Sequence, residues 1–121
     1  MMARADIEDA LVRLEQVHKQ LGELSTGAEP GWEKQYLQAR RTLQEQINRL
    51  CQADALLNLS DEDSRRFRDA FGKFRTATAL HQADWPVVEI DRQNPGYSQS
   101  AANVGQTYQQ FMTVMRALMQ R

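Results

Sequence analysis

The chain has 121 residues, of which 15 are Lys or Arg and 16 are Asp or Glu, so its formal net charge is −1. This balance gives no overall field that would favour nucleic acid or an anionic membrane surface. The length suits one domain with a hydrophobic core of its own, and we expect 1–121 to form a single helical domain. The only cysteine, Cys51, excludes an internal disulfide and is typical of a reducing compartment.

The N-terminal segment favours a cytoplasmic protein. Asp6, Glu8 and Asp9 stand where a signal peptide requires an apolar stretch. Elsewhere no apolar run approaches the roughly 20 residues that cross a bilayer. We therefore expect cytoplasmic localisation and no membrane insertion.

Two amphipathic helices are predicted in the first half of the chain, roughly over 5–24 and 30–57. Gly27 is expected to cap the first helix in a left-handed conformation, and Pro30 fits the first turn of the second. Apolar residues at helical spacing define one face of each helix. These residues are Ile7, Ala10, Leu11, Leu14, Val17, Leu21 and Leu24 in the first helix, and Trp32, Tyr36, Ala39, Leu43, Ile47, Leu50 and Leu57 in the second.

The third predicted helix spans 61–85. Ser60 can cap it, and Pro86 disfavours helical geometry at Trp85. Its apolar face contains Phe67, Ala70, Phe71, Phe74, Ala77, Thr78, His81 and Trp85. An irregular loop follows at 86–94. The favoured interpretation makes this loop a plug with Val88 and Ile90 pointing inward, and the alternative is a lip that meets a partner.

The fourth predicted helix spans 95–120, with Asn94 as its cap and Pro95 at its first position. Residues 93–115 contain no charged side chain, although 26% of the chain is charged. Apolar residues alternate there at steps of four and three, as in a helix that packs along its whole length. They are Tyr97, Ala101, Val104, Tyr108, Phe111, Met115 and Leu118. We expect Phe71, Phe74, Tyr108 and Phe111 to meet in one core.

These helices predict an all-α fold, an antiparallel up-down-up-down four-helix bundle. Two alternatives remain open at this point. In one, the first helix is only loosely attached to a three-helix fold. In the other, two copies complete their cores by exchange.

Motifs for catalysis or metal binding are scarce. Glu15 and His18 have the Glu-x-x-His spacing of di-iron bundles, but no second such pair occurs, so we interpret them as an exposed polar pair. Cys51 is interpreted as a packing residue inside the second helix. No Walker loop, dinucleotide fingerprint, zinc spacing or nucleophile elbow occurs. We therefore predict that the protein is not an enzyme and has no cofactor or metal site.

Two features support alternative functions. His81, with Asp84 three residues later, would be the functional residue if the protein were a cofactor-binding bundle or an enzyme. A packing and capping role for His81 is favoured. The third helix is rich in basic residues, which would contact phosphates if the protein were a nucleic-acid-associated regulator. They are Arg65, Arg66, Arg68, Lys73 and Arg75. Pairs such as Glu62 with Arg66 and Asp69 with Lys73 make a solvated charged face the favoured interpretation, and nucleic acid the less favoured partner.

The favoured function is a helical protein–protein interaction module, an adaptor or an export-chaperone-like protein. Met112 and Met119 widen the apolar face of the last helix, and methionine adapts to varied partners. The predicted partner-binding residues are Met112, Met119, Gln109, Trp85 and Val87. In outline this architecture resembles bacterial secretion and flagellar-export chaperones. The resemblance covers no particular residue, and it implies that the apolar C-terminal helix holds a client protein. We expect a protein partner or self-association.

Overall fold

A computed structural model describes residues 3–26 and 29–120 of the protein. All regular elements in these ranges are helical, which confirms the all-α fold class. The α-helices are α1 (Arg4–Thr26), α2 (Trp32–Leu50), α3 (Ala53–Leu56), α4 (Asp61–Asp84) and α5 (Pro95–Met119), and a 3-10 turn covers Val87–Glu89. None of the helices described is long and apolar enough to cross a membrane.

The chain divides into two compact units, Met1–Asn58 and Leu59–Arg121. Each unit consists mainly of two long helices, α1 with α2 and α4 with α5. The single domain and the up-down-up-down packing of all four helices stay predictions.

In the first unit, α1 and α2 form an antiparallel pair. Arg49 in the last turn of α2 donates hydrogen bonds to the Asp9 carboxylate at 3.0 Å and to the Asp6 carbonyl at 3.2 Å, near the start of α1. The predicted apolar faces supply the buried apolar side chains of this pair. Those buried are Ile7, Ala10, Leu14 and Val17 from α1, and Tyr36, Ala39, Leu43, Ile47 and Leu50 from α2.

The second helix is shorter than predicted at both ends. Pro30 lies in the turn before it, and Gly31 adopts a left-handed conformation with φ 81° immediately before Trp32. At the other end, Gln52 leaves helical geometry with φ −116° and ψ 20°, and this break separates α2 from α3. The predicted cap at Gly27 lies outside the described residues.

This break changes the environment of Cys51. The prediction that Cys51 packs inside a helix is wrong, because Cys51 follows the last residue of α2 and is exposed. Its thiol lies 3.5 Å from the Ile47 carbonyl of the preceding turn.

Caps fix the ends of the helices in the second unit, as predicted. The Ser60 hydroxyl accepts a hydrogen bond from the Asp63 N–H at 3.2 Å, and three acids in the first turn of α4 suit the helix dipole. Asp84 is the last residue of α4, two positions before Pro86. The Asn94 side chain accepts from the Gly96 N–H at 2.8 Å, and Pro95 is the first residue of α5.

Aromatic contacts show that α4 and α5 are antiparallel. The Phe74 ring lies 5.9 Å from the Tyr108 ring and 5.7 Å from the Phe111 ring, and Phe71 lies 5.3 Å from Phe111. The predicted meeting of these four residues is therefore confirmed. Nearer the other end of the pair, Trp85 contacts Tyr97 at 5.5 Å between ring centroids.

The loop after α4 differs from the predicted plug. Val88 lies in the 3-10 turn and is 90% exposed, so the expectation that it points inward is wrong. Val87 and Ile90 on either side are partly buried. Because residues three apart lie on the same side of a 3-10 turn, Val87 and Ile90 are shielded together while Val88 and Glu89 face solvent.

Candidate functional site

The outer surface of α5 carries amide side chains instead of charges. Its exposed glutamines and asparagine form a surface that we call the amide face, and Arg116 is the only charged residue between Pro95 and Met119. The amide face consists of Gln99, Asn103, Gln106, Gln109 and Gln110. Amides hydrogen-bond to water or to a partner, and burying them costs less than burying a charge.

The methionines of α5 do not extend this surface as expected. Met112 is only 4% exposed, so the prediction that placed it on an outward partner-binding face is wrong, while Met119 is partly buried. Met112 is adjacent in sequence to Phe111, which is fully buried. The buried face of α5 is thus wide enough to include both residues, as is usual for a helix that packs on a core.

A groove runs between α4 and α5, next to the amide face. Its volume is about 600 Å³. Seven residues of α4 and two of α5 line it: Arg68, Asp69, Gly72, Lys73, Thr76, Ala77, Leu80, Asn103 and Thr107. Asn103 belongs both to the groove and to the amide face, so the two surfaces are continuous.

The groove has small side chains along its middle and one large apolar side chain at its end. A Cβ atom added to Gly72 would meet no atom within 4 Å, so the space above this residue is open. Leu80 is 58% exposed, one of several large apolar side chains exposed in the described residues. The Thr107 hydroxyl donates to the Asn103 and Val104 carbonyls of its own helix at 3.1 and 2.9 Å. The hydroxyl proton of Thr107 is therefore used within α5, and its oxygen remains an acceptor.

Charged side chains of both signs, Arg68, Asp69 and Lys73, line the other end of the groove. α4 as a whole carries five basic and five acidic residues, so its charges balance. Within this segment the predicted pairing of Asp69 with Lys73 is present, at 3.2 Å. Arg66 pairs with Asp63, at 3.7 Å, where the sequence suggested Glu62.

A polar contact joins α4 to α5 in the midst of aromatic side chains. His81 is buried, and its Nδ1 lies 2.7 Å from the Ser100 hydroxyl oxygen. The imidazole also contacts the Tyr97 ring, with 5.4 Å between centroids. Asp84, which the sequence suggested could orient His81, is exposed. The position of His81 therefore agrees with the predicted packing role, while the capping role stays a prediction.

Trp85 and Val87, two of the predicted partner-binding residues, are partly buried. The Trp85 ring lies close to the backbone of α5, since a Cβ atom added to Gly96 would stand 3.5 Å from it. Gln109 is exposed on the amide face. The structure therefore brings Trp85 to the start of α5 and leaves Gln109 on the outer surface of the same helix.

The other candidate chemical residues do not converge on a site. Glu15 is exposed, and His18 is partly buried, which lowers the pKa of its imidazole through desolvation. In the described ranges, no group of three or more His, Cys, Asp or Glu residues could hold a metal ion.

Sequence reasoning missed the groove, Leu80 and Ser100. Leu80 carried a signal, because it is a large apolar residue outside the predicted face of its helix. Ser100 carried none, since its proximity to His81 depends on the register between α4 and α5. Comparison with known proteins adds no further residue, because no protein-family model, curated protein or solved structure matches this chain.

Proposed function

We propose that the protein is a protein–protein interaction module that binds a partner through α5 and the adjoining groove of the second unit. The proposed role is that of an adaptor or chaperone-like protein in the cytoplasm. The observation that supports it most directly is the amide face, an exposed surface without charge along a helix in a chain that is 26% charged.

The chemistry of this surface suits a protein interface. Charged residues are depleted at the centres of such interfaces, because their desolvation is seldom fully compensated. Amides hydrogen-bond to a partner or to water, so the same surface is compatible with the free and the bound state. The exposed Leu80 at the end of the groove supplies an apolar anchor beside these polar groups. Since Met112 is buried, it belongs to the core and is not part of the proposed interface.

The test places two negative charges on the amide face. Gln106→Glu with Gln110→Glu changes two exposed residues one helical turn apart. Gln16→Glu with Gln20→Glu is the matched control, because it makes the same change at the same spacing on the exposed side of α1. Tagged full-length protein is used to capture partners, and the affinity of each purified partner is then measured for the wild type and both variants.

The proposal predicts that the α5 variant weakens binding at least about tenfold, which corresponds to about 1.4 kcal/mol. The α1 variant should stay within about twofold of the wild type. Equal affinities for all three proteins would contradict the proposal. Nuclease-sensitive capture of nucleic acid, abolished by changing Arg65 and Arg68, would instead support the alternative regulator that uses the arginine-rich helix.

A further inference from the structure

We propose that α5 binds a second copy of this chain, with the two amide faces in contact and the two helices antiparallel. This inference rests on the proposed function and specifies its partner. A twofold axis passes near Gln106 in this arrangement, so the assembly closes at two copies. The helical spacing of the amide face, its hydrogen-bonding groups, its lack of charge and its shape all fit a second copy.

The amide face repeats at the spacing of a helix that packs against another helix. Exposed residues without charge recur there at steps of four, three, four and three: Gln99, Asn103, Gln106, Gln110 and Thr113. Such steps keep one side of a helix against a partner helix along its length. Nine residues make about two and a half turns, so Gln106 lies on the opposite side of α5 from the buried Tyr97. The series therefore faces away from the core, where a second α5 with the same spacing matches it.

Amide side chains pair with copies of themselves. In a twofold interface the same surface meets itself, so a side chain near the axis faces its own counterpart. A carboxylate or an ammonium group in that place would face a like charge. A glutamine or asparagine amide has both donors and an acceptor, and it therefore forms hydrogen bonds with an identical amide. The absence of charge from residues 93–115 is what a self-complementary surface requires.

The charges of the chain favour a second copy over a different protein. Unlike proteins use opposite charges to select and orient each other, and α5 offers only Arg116 for that purpose. In an antiparallel pair with its axis near Gln106, the two arginines lie about 30 Å apart along the helices and are screened from each other. The chain as a whole has a net charge of −1, so two copies repel each other only weakly.

The two halves of the amide face differ in shape, and this difference favours the antiparallel arrangement. A depression of about 470 Å³ lies at the N-terminal half, and three of its lining residues, Gly96, Ser100 and Ala102, are small. Gln109 and Gln110 are exposed at the C-terminal half. In an antiparallel pair these two glutamines of each copy face the depression of the other copy. A parallel pair would place one depression against the other and leave both unfilled.

The experiment measures self-association of the purified protein by sedimentation equilibrium between about 1 μM and about 1 mM, the range of weak and moderate affinities. Gln106→Glu with Gln110→Glu places negative charges near the axis, and Gln106→Lys with Gln110→Lys places positive charges there. Gln16→Glu with Gln20→Glu on the exposed side of α1 is the matched control. Circular dichroism of each variant establishes that it is folded.

We expect a reversible equilibrium between monomer and dimer for the wild type. Each α5 variant alone should dimerise at least about tenfold more weakly, because like charges meet near the axis, and the α1 control should stay within about twofold of the wild type. An equimolar mixture of the glutamate and lysine variants should form heterodimers at least as tightly as the wild type, since opposite charges then meet. Added salt should weaken these heterodimers.

Disulfide formation tests the orientation of the two helices. The background is Cys51→Ser, because Cys51 is exposed and would form disulfides of its own. Gln106→Cys should give covalent dimers under mild oxidation. Gln99→Cys should not, because its two copies lie about 21 Å apart along an antiparallel pair, beyond the reach of a disulfide. Covalent dimers of both variants would show a parallel pair and overturn the proposed arrangement.

A wild type that remains monomeric up to about 1 mM would overturn the inference. Dimers that are unaffected by the α5 substitutions would also overturn it, as would a mixture of the two α5 variants that stays monomeric. These outcomes leave the proposed function standing, because capture of a different protein that depends on Gln106 and Gln110 would still support it.

Discussion

Nδ1 of His81 and the hydroxyl oxygen of Ser100 are 2.7 Å apart, and this hydrogen bond joins the last turn of α4 to the second turn of α5. His81 is only 7% exposed, so the bond forms where water competes little. The carbonyl of His81 meanwhile accepts from the Trp85 N–H at 2.9 Å at the end of α4. One residue therefore links the end of α4 both to α5 and to the loop that follows.

Ser100→Ala tests the stability that this contact provides. Loss of the hydroxyl removes the hydrogen bond to a buried imidazole, and we expect a loss of about 1–3 kcal/mol in the free energy of unfolding. Ser98→Ala is the control, because Ser98 is exposed on the same helix. The free energies of unfolding of both variants are measured in urea. If Ser100→Ala is as stable as Ser98→Ala, the contact contributes nothing to stability.

Phe74→Ala should strongly destabilise the second unit. The Phe74 ring is fully buried and packs against both Tyr108 and Phe111, so its removal leaves a cavity between α4 and α5. The expected loss is about 3–5 kcal/mol in urea unfolding. Leu80→Ala on the same helix removes an exposed side chain and should change stability by no more than about 0.5 kcal/mol. A loss under about 1 kcal/mol for Phe74→Ala would contradict the aromatic core.

Met112→Glu should disrupt folding before it affects any interface. The substitution places a carboxylate where the native side chain is shielded from water, and we expect a cost of about 3 kcal/mol or more. Met112→Leu conserves volume and should cost less than about 1.5 kcal/mol. Thermal unfolding followed by circular dichroism distinguishes the two. A Met112→Glu protein as stable as the leucine variant would place Met112 on the surface.

His18 should make the protein less stable in mild acid. Burial lowers the pKa of its imidazole from 6.5, so the unfolded chain binds a proton at a higher pH than the folded chain does. Between the lowered pKa and 6.5 the unfolded state holds more protons, and stability therefore rises with pH across this window. Below the folded pKa both states are protonated, and the contribution of His18 becomes constant.

The measurement compares the pH dependence of unfolding in the wild type and in His18→Gln between about pH 5 and pH 8. The difference between the two profiles isolates His18, because His81 and the carboxylates contribute to both. The wild type should lose more stability than His18→Gln as the pH falls. Parallel profiles would show that the pKa of His18 is the same in the folded and unfolded chains.

Local chemistry made much of the helical structure predictable. A capping serine with acids after it located the start of α4, and Asn94 followed by Pro95 located the start of α5, because these signals act within one helical turn. The predicted faces supplied the buried aromatic residues, since periodicity specifies which side chains share one side of a helix. The end of α2 was missed, because no glycine or proline marks the break at Gln52.

The sequence by itself determined that this protein is helical, where four of its helices lie and which of their faces are apolar. Only the tertiary structure decided that Met112 is buried, that Ser100 meets His81 and that Leu80 remains exposed at the end of a groove. The physical reason is that caps and periodicity depend on neighbours along the chain. Burial and contact depend instead on how two helices are aligned and how far apart they lie. Both quantities are set by the packing of the complete helix faces.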